Sequence, residues 1–273
     1  MLRLNLVLNN LSHSIPNIIK TNTIANPYYL DQKFDYIVSN PPFKLDFSDF
    51  VADLGKDSFK PRFFAGIPNV PKTKKESMAI YLMFIQHIMH SLSAKGKAAI
   101  VVPTGFITAQ SGIERKIREA MIAKNMLRGV VSMPSNIFAS TGTNISVLFL
   151  DKQADSEHIV LVDASKLGET IKEGKNQRTV LTKKEEQRII DTMNQKLAQE
   201  DFSVVVSSKD VIAKNYSLSA GQYFEVKIKY TDITPEEFAT KMKTFENNLS
   251  ELFAESKILE KEIQNNLKNS RYE

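Results

Sequence analysis

The chain has 273 residues, of which 42% are hydrophobic and 25% are charged, and its formal net charge is +5. This composition is that of a globular domain rather than a disordered chain or a membrane protein, and no apolar run approaches the length of a spanning helix. Cysteine is absent, which excludes disulfides, zinc–thiolate sites, iron–sulfur clusters and a cysteine nucleophile. We expect a cytoplasmic protein without a signal peptide.

The positive charge is concentrated in one segment of the chain. Residues 51–100 hold eight Lys or Arg against three acidic residues, whereas residues 231–273 hold six against nine. A basic segment and an acidic end indicate different partners for the two parts, with nucleic acid as the candidate for the first. A solvated surface is the alternative interpretation of the same distribution.

The amino-terminal half alternates between helices and strands. A helix is expected over residues 2–11 and a short strand near residues 18–24. A buried strand over residues 34–39 runs directly into Asn40-Pro41-Pro42-Phe43, and because prolines cannot continue a central strand, this turn lies at its carboxyl end. The next segments predict a helix over 79–92, a strand over 98–102 behind a break at Gly96, a helix over 110–124, and strands over 128–133 and 145–150.

This alternation predicts a mostly parallel sheet with helices on both faces. The strand at 145–150 follows its predecessor without a clear helix, which favours an antiparallel orientation for it. Beyond residue 152 the pattern weakens. It predicts a strand over 158–163, a helix from the capping box Thr182–Glu185 to residue 198, and short strand and loop over 201–223.

A long amphipathic helix is predicted at the carboxyl end. It begins at Thr234-Pro235-Glu236-Glu237, which combines a threonine cap, a proline at the first position and a glutamate at the third. Its apolar residues follow a heptad spacing with one polar break: Phe238, Met242, Phe245, Leu249, Leu252, Ser256, Leu259 and Ile263. A helix continuing to Lys268 would present this stripe to a partner helix. The expected organisation is thus 1–152, 153–231 and 232–273.

The turn Asn40-Pro41-Pro42-Phe43 suits the methylation of an exocyclic amine on a planar ring. Such an amine is a poor nucleophile because its lone pair is delocalised into the ring. The Asn40 side-chain oxygen and the Pro41 carbonyl can each accept one of its N–H bonds, and the prolines hold these acceptors rigid. Phe43 offers a face on which a flipped base can stack. An ordinary turn that ends a strand is the alternative interpretation.

The chain resembles the modification subunit of a type I restriction-modification system, an adenine-N6 DNA methyltransferase. Blocks with the family's order and spacing carry the resemblance: residues 34–43, 62–68, 79–92, 96–106, 130–143 and 215–218, with Tyr223. The resemblance implies an α/β fold with a Rossmann-like methyltransferase sheet, a small mixed α+β segment and a long carboxyl-terminal helix. It also implies methyl transfer to a flipped adenine in double-stranded DNA. The implied complex contains two modification subunits and one specificity subunit, and the specificity subunit would supply the partner helix for the long helix.

The resemblance further implies S-adenosylmethionine as the methyl donor, held by a glycine-rich turn and an acidic residue upstream of the catalytic loop. Only 39 residues precede Asn40, and no two of the ten glycines are separated by a single residue, so the sequence contains no Gly-x-Gly pattern. We therefore expect a sheet truncated at its amino end and a chain that is inactive alone. A separate amino-terminal half would have to supply the missing residues. Asn40 and Asn22 are the remaining candidates for cofactor contact.

Two further groups of residues are candidate sites. Lys72, Lys74 and Lys75 form a basic loop after the catalytic turn, which favours contact with DNA phosphates, although a solvated loop has the same composition. His87 and His90 stand three residues apart on a predicted helix, but no carboxylate is near them in sequence. We therefore predict no metal site.

Two other functions compete with DNA methylation by the family mechanism. The chain could be a non-catalytic remnant that binds DNA or takes part in assembly. It could also methylate RNA or a protein amide, because similar Asn-Pro-Pro turns serve those substrates. The blocks downstream of the turn argue against this last function.

Overall fold

The computed structural model describes residues 2–56, 61–138, 143–173, 176–225 and 233–269. A six-stranded sheet forms the centre of the fold, and a two-stranded hairpin accompanies it. The strands are β1 (Phe34–Ser39), β2 (Leu92–Pro103), β3 (Leu127–Ser132), β4 (Ile145–Asp151), β5 (Ile159–Asp163), β6 (Glu169–Glu173), β7 (Asn176–Val180) and β8 (Ser203–Val206). In the larger sheet their order is β1-β2-β4-β3-β5-β8, with β1 and β8 at the edges.

Helices lie between these strands and at both ends of the described chain. They are α1 (Leu2–Leu8), α2 (Val51–Leu54), α3 (Tyr81–Ser91), α4 (Gly105–Thr108), α5 (Gly112–Ala123), α6 (Lys183–Gln195), α7 (Ser208–Ala213) and α8 (Pro235–Asn269). Short 3₁₀ turns occur at Ser12–Asn17, Ser48–Phe50, Lys75–Ser77 and Ala220–Gln222. In the described part of the chain no helix combines the length and the apolar character that crossing a membrane requires.

The sheet is mixed rather than mostly parallel, which corrects the expectation from the sequence. β1 pairs with β2 and β3 with β5 in parallel, whereas β4 is antiparallel to both β2 and β3, and β8 is antiparallel to β5. The antiparallel orientation expected for residues 145–150 is therefore confirmed. Because β1, β2, β3 and β5 all point the same way, their carboxyl ends lie along one side of the sheet.

The break expected at Gly96 is wrong, since β2 already begins at Leu92. Gly96 is needed for a close approach of two strands: a Cβ atom there would lie 2.8 Å from the carbonyl oxygen of Phe34. The register of β1 on β2 shifts between Phe34 and Tyr36 at the same place. Only glycine allows the strand to continue through this irregularity.

Other differences have local causes. The strand expected near residues 18–24 is wrong, as these residues form turns and irregular chain. Helix α6 begins at the predicted capping box, with both of its reciprocal bonds, but ends at Gln195 because Lys196 adopts a left-handed conformation. Helix α7 was not predicted, although Ser207 and Asp210 form a second capping box. The hairpin of β6 and β7 was also missed.

The chain divides into two compact units, Met1–Phe224 and Glu225–Glu273. The sheet runs across residue 152, because β5 and β8 extend the sheet that β1–β4 begin. The functional division at residues 152 and 231 remains a prediction. In the second unit the predicted cap is present: the Thr234 side chain accepts from the Glu237 N–H, and the Glu237 carboxylate accepts from the Thr234 N–H.

A buried arginine ties the end of the first unit to its centre. Arg118 on α5 is fully buried and donates to the carbonyl oxygens of Phe106, Ala109 and Tyr216, the last at 2.7 Å. Burial lowers the pKa of its guanidinium to about 10, so it stays charged at neutral pH. Arg118 thereby fixes the block 215–218 against the turn that follows β2.

Candidate active site

The turn Asn40-Pro41-Pro42-Phe43 lies at the carboxyl end of β1, as the sequence predicts. Asn40 and Pro42 are exposed, Pro41 is buried and Phe43 is half-buried. Within the described residues the Asn40 side chain has no hydrogen-bond partner, so its amide is available to a ligand. The buried Pro41 anchors the turn in the fold, which fixes the direction in which Asn40 projects.

Aromatic rings pack against the turn through Phe43. The ring of Phe43 meets the ring of Tyr81 nearly edge-on, with 6.3 Å between centroids and an interplanar angle of 72°. Tyr81 in turn meets Phe106 at 6.2 Å, and its hydroxyl lies 3.5 Å from a carboxylate oxygen of Glu114. Burial and Glu114 raise the pKa of Tyr81, which therefore stays protonated. Phe43 is thus packed against a fixed partner while remaining only half-buried.

The loop at residues 62–68 is fastened to α3 by one side chain. Gln86, which is fully buried, accepts from the Ala65 N–H at 2.8 Å and donates to the Gly66 carbonyl at 3.0 Å. At the start of the loop Arg62 donates to the carbonyl oxygen of Ile24 at 2.5 Å. These bonds connect the loop to α3 on one side and to the amino-terminal turns on the other.

The basic loop is joined to the segment that follows the predicted catalytic turn. Lys72, Lys74 and Lys75 are exposed. The Leu45 N–H, just after the turn, donates to the Met78 carbonyl at 3.1 Å and so joins the two segments. The pKa of Asp46 is lowered by hydrogen bonds from Ser48 and, to a smaller extent, by the charge of Lys75. The structure therefore joins the loop that contains the predicted DNA-binding lysines to the segment just after the predicted catalytic residues.

An open groove runs along the free edge of β1. It has a volume of about 480 Å³. Tyr36 and Val38 on this edge strand are 79% and 87% exposed, although large apolar side chains are usually buried. The other residues that line the groove are mostly apolar or aromatic: Ile19, Thr21, Thr23, Pro27, Tyr28, Tyr29, Phe34, Ile37, Ser39, Phe84, His87, Ile88 and Ser91.

The groove does not fit S-adenosylmethionine as it stands. Its lining contains no glycine and no carboxylate, although a ribose is commonly held by an acidic side chain and the rest of a nucleotide-like cofactor by a glycine-rich turn. Asn22, the weaker of the two predicted cofactor contacts, uses its side-chain oxygen locally, accepting from the N–H groups of Ile24 and Ala25 at 3.0 Å each. The roles of Asn22 and Asn40 toward a cofactor remain predictions.

The two histidines of α3 are placed in or near the core. Burial, and to a smaller extent the charge of Arg62, lowers the pKa of His87 to about 4 and lowers that of His90. The part of the chain that the structure describes contains no cluster of three or more His, Asp or Glu that could hold a metal ion. Both histidines are neutral at pH 7 in this environment.

The residues that support the site were not predicted from the sequence. Gln86, Arg118 and Tyr81 make their contacts with segments distant in sequence, and no local pattern identifies those partners. Gln86 and Arg118 could have been suspected from the sequence, because each is a polar residue on an otherwise apolar helix face. A polar side chain buried in such a face usually has a hydrogen-bond partner.

Comparisons with known proteins identify the family of this chain. A family model described as N-6 DNA Methylase matches residues 1–232. The methylase subunit of the type I restriction enzyme MpnII from Mycoplasma pneumoniae is 28% identical over 273 residues, covering 94% of this chain and 48% of that protein. The MjaIX methylase subunit from Methanocaldococcus jannaschii is 29% identical over 246 residues, covering 86% of this chain and 42% of that protein.

A solved structure shares the fold. The type I restriction-modification methyltransferase subunit from Streptococcus thermophilus has a TM-score of 0.65 and 23% identity, covering 82% of this chain and 45% of that chain. This chain thus spans about half the length of the curated relatives it matches. The family model covers most of the sequence, including every block from β1 to Tyr223. The chain therefore belongs to the N-6 DNA methylase family.

Proposed function

We propose that this chain supplies the target-base half of an adenine-N6 DNA methyltransferase, as a modification subunit of a type I restriction-modification system. The observation that carries the proposal is the turn at the end of β1. There the Asn40 amide is exposed and without a partner among the described residues, and Phe43 rests on Tyr81. This is an arrangement for holding a planar base with an exocyclic amine.

In this proposal Asn40 and Pro41 act on the amino group of the base. The side-chain oxygen of Asn40 and the carbonyl oxygen of Pro41 accept its two N–H bonds, which favours a pyramidal nitrogen with its lone pair directed at the methyl donor. Phe43 stacks on the extruded base. Most of the rate enhancement then comes from positioning and from acceptors that need no reorganisation.

The basic loop binds the DNA backbone in the same proposal. Lys72, Lys74 and Lys75 are exposed and joined to the segment after the catalytic turn through the bond from Leu45 to Met78. Phosphate contacts from these lysines would hold the duplex in register while the adenine leaves the stack. Binding through these lysines would weaken as salt concentration rises.

The methyl donor that the family implies is S-adenosylmethionine. Methyl transfer requires an electrophilic methyl group next to the amine, and Asn40 directly follows Ser39, which lines the groove. The groove itself offers neither a glycine turn nor a carboxylate. We therefore propose that the chain alone is inactive and that a separate polypeptide, seated along the open edge of β1, completes the cofactor site.

The proposed assembly also contains a specificity subunit and a second modification subunit. The relatives are named as subunits of type I restriction enzymes, and α8 carries an exposed apolar stripe suited to contact with other chains. A non-catalytic DNA-binding or assembly remnant is the second candidate function, favoured by the absence of glycine and carboxylate from the groove.

Transfer of a radiolabelled methyl group to DNA tests the proposal. The full chain is combined with a specificity subunit and a polypeptide that supplies the cofactor residues, and Asn40→Ala is compared with wild type. Losing one preorganised acceptor should lower the rate about 10²–10³-fold while DNA binding is retained. Lys209→Ala, an exposed change on α7, is the control. An active complex in which Asn40→Ala has no effect would support the non-catalytic interpretation of this turn.

A further inference from the structure

The hairpin of β6 and β7 follows a strand that ends on the same side of the sheet as the catalytic turn. The two strands form a sheet of their own. They follow β5, which is parallel to β3, so the carboxyl end of β5 lies on the same side as that of β1. Four strand spacings separate β1 from β5 in the sheet order, which corresponds to about 19 Å. The hairpin and the turn therefore follow strands that are about this far apart on one side of the fold.

One end of the hairpin is fixed to the rest of the first unit. The Thr179 N–H donates to the carbonyl oxygen of Asn136 at 2.9 Å, and the Gly168 N–H donates to the Glu185 carboxylate at 2.8 Å. Gly168 has a φ of +82°, and a Cβ atom there would lie 2.7 Å from Cγ2 of the buried Thr179. Each strand has five residues, so the hairpin extends about 17 Å from this anchored end.

Away from its anchored end the hairpin is exposed and largely polar. Lys172 and Gln177 lie directly opposite each other in the register, so their exposed side chains share one face. Among the described residues neither side chain has a hydrogen bond or an ion pair. The other face presents the exposed side chains of Ile171, Arg178 and Val180. Because a two-stranded hairpin contributes little stability by itself, this exposed surface points to binding.

The charge and the shape of the hairpin suit duplex DNA. Residues 165–180 contain four Lys or Arg against two Glu, and cationic side chains contact phosphates. The major groove is about 12 Å wide and admits a two-stranded β-ribbon. There an amide such as that of Gln177 can bond to a base edge, and an apolar side chain such as Ile171 can contact a thymine methyl group. A stable protein interface requires a larger surface than one short hairpin offers.

We propose that the hairpin of β6 and β7 is a second DNA-contacting element, a β-ribbon that enters the major groove near the target base. Lys172 contacts a phosphate and Gln177 faces the base edges. The inference rests on the proposed function, because DNA that presents its adenine to Asn40 has to pass along the carboxyl ends of the strands. It adds a contact that is separate, in sequence and in the fold, from the basic loop.

Binding of duplex DNA by the full chain at several salt concentrations tests the phosphate contact. The probe is a short fluorescein-labelled duplex, and fluorescence anisotropy gives the Kd. Lys172→Glu should weaken binding about 10-fold and reduce the slope of log Kd against log salt concentration by about 1, because one phosphate contact is lost. Lys209→Glu changes the net charge by the same amount on the exposed surface of α7 and should leave both quantities unchanged.

The same assay separates this inference from the proposed function. The triple variant Lys72→Ala, Lys74→Ala and Lys75→Ala tests the basic loop. An effect of the triple variant with none of Lys172→Glu overturns the hairpin contact and leaves the proposed function intact. Unchanged DNA binding by Lys172→Glu with loss of binding to a specificity subunit also overturns it, because the hairpin then contacts protein. A wild-type chain that does not bind duplex DNA contradicts both.

Disulfide cross-linking tests the placement in the major groove, since the chain has no native cysteine. Gln177→Cys should cross-link to a duplex with a thiol tether on a base in the major groove, and not to a duplex with the tether in the minor groove. Gln153→Cys, which is exposed just after β4, is the control and should cross-link to neither duplex. Equal cross-linking of Gln177→Cys to both duplexes, or cross-linking to neither, overturns the groove placement.

Discussion

The side-chain amide of Gln86 pairs with the backbone of the loop at Ala65, accepting from the Ala65 N–H at 2.8 Å and donating to the Gly66 carbonyl at 3.0 Å. One side chain of α3 thereby pairs with an N–H and a C=O of adjacent loop residues, as a neighbouring strand would. The pairing explains why a loop and a helix that are separated in sequence both belong to the site. The loop is held next to α3, and α3 also supports Phe43 through Tyr81.

Gln86→Leu should destabilise the first unit by about 3 kcal/mol, because it removes the partner of the buried Ala65 N–H and of the part-buried Gly66 C=O, at about 1–3 kcal/mol each. Gln86→Glu retains the acceptor but loses the donor, and it also buries a carboxylate. This variant should therefore be destabilised at least as much as Gln86→Leu. The exposed Gln32 provides the matched control, since Gln32→Leu should change stability by no more than about 0.5 kcal/mol. Urea unfolding monitored by circular dichroism measures all three, and equal stability of Gln86→Leu and wild type would contradict the role of this pairing.

The local parts of the fold could be predicted from the sequence. Strand β1 and the turn after it follow from an apolar run that ends in two prolines, and α8 follows from its cap and its heptad spacing. The antiparallel β4 was also indicated, by the absence of a helix before it. Each of these signals is contained within a few neighbouring residues, which is where periodicity and capping chemistry act.

Contacts between distant segments could not be predicted in the same way. Gly96 was taken for a break because glycine ends many elements, whereas here it permits β2 to pass 2.8 Å from the Phe34 carbonyl, a constraint that depends on strand pairing. The hairpin of β6 and β7 is polar and short, so its alternation is weak. At the site, the position of Asn40 at the end of β1 was predicted, but the support of Phe43 by Tyr81 depends on how α3 packs.

The contact between Phe43 and Tyr81 predicts different effects for two substitutions. In an active complex, Phe43→Ala should raise the KM for DNA about 10- to 100-fold, because stacking on a base contributes about 1–3 kcal/mol. Tyr81→Phe keeps the ring that supports Phe43 at 6.3 Å and should leave both KM and kcat close to wild type. Steady-state methylation kinetics measure the two variants. A KM for Phe43→Ala equal to that of the wild type would contradict a stacking role for Phe43.

The half-buried His87 predicts a loss of stability in mild acid. Burial and nearby positive charges lower its pKa from 6.5 to about 4, so the unfolded chain binds this proton more readily than the folded one. The stabilisation is complete above pH 6.5 and is lost as the pH falls toward 4. His87→Gln should therefore reduce the drop in melting temperature between about pH 7 and pH 5, whereas the exposed His13→Gln should not. Equal pH dependence of the two variants would contradict this assignment.

Calorimetry on the isolated chain tests whether the cofactor site is incomplete. Binding of S-adenosylmethionine at micromolar affinity requires about 8 kcal/mol. In dinucleotide sites that energy comes largely from a glycine turn and an acidic residue on the ribose, and the groove beside β1 contains neither. Titration of S-adenosylmethionine into the isolated chain should therefore give no micromolar isotherm, and the chain should not methylate DNA.

The open edge of β1 provides the second half of that test. Tyr36 and Val38, 79% and 87% exposed, lie on a strand whose outer backbone groups are free to pair, and such edges promote aggregation. Tyr36→Lys with Val38→Lys should raise the solubility of the isolated chain and still give no isotherm, whereas the same change at the exposed Ile190 of α6 should leave solubility unchanged. A polypeptide that completes the site should restore binding to the wild-type chain and not to the double-lysine variant. A clear micromolar isotherm from the isolated wild-type chain would show instead that its own residues form a complete cofactor site, and the proposed division of the active site between two polypeptides would be wrong.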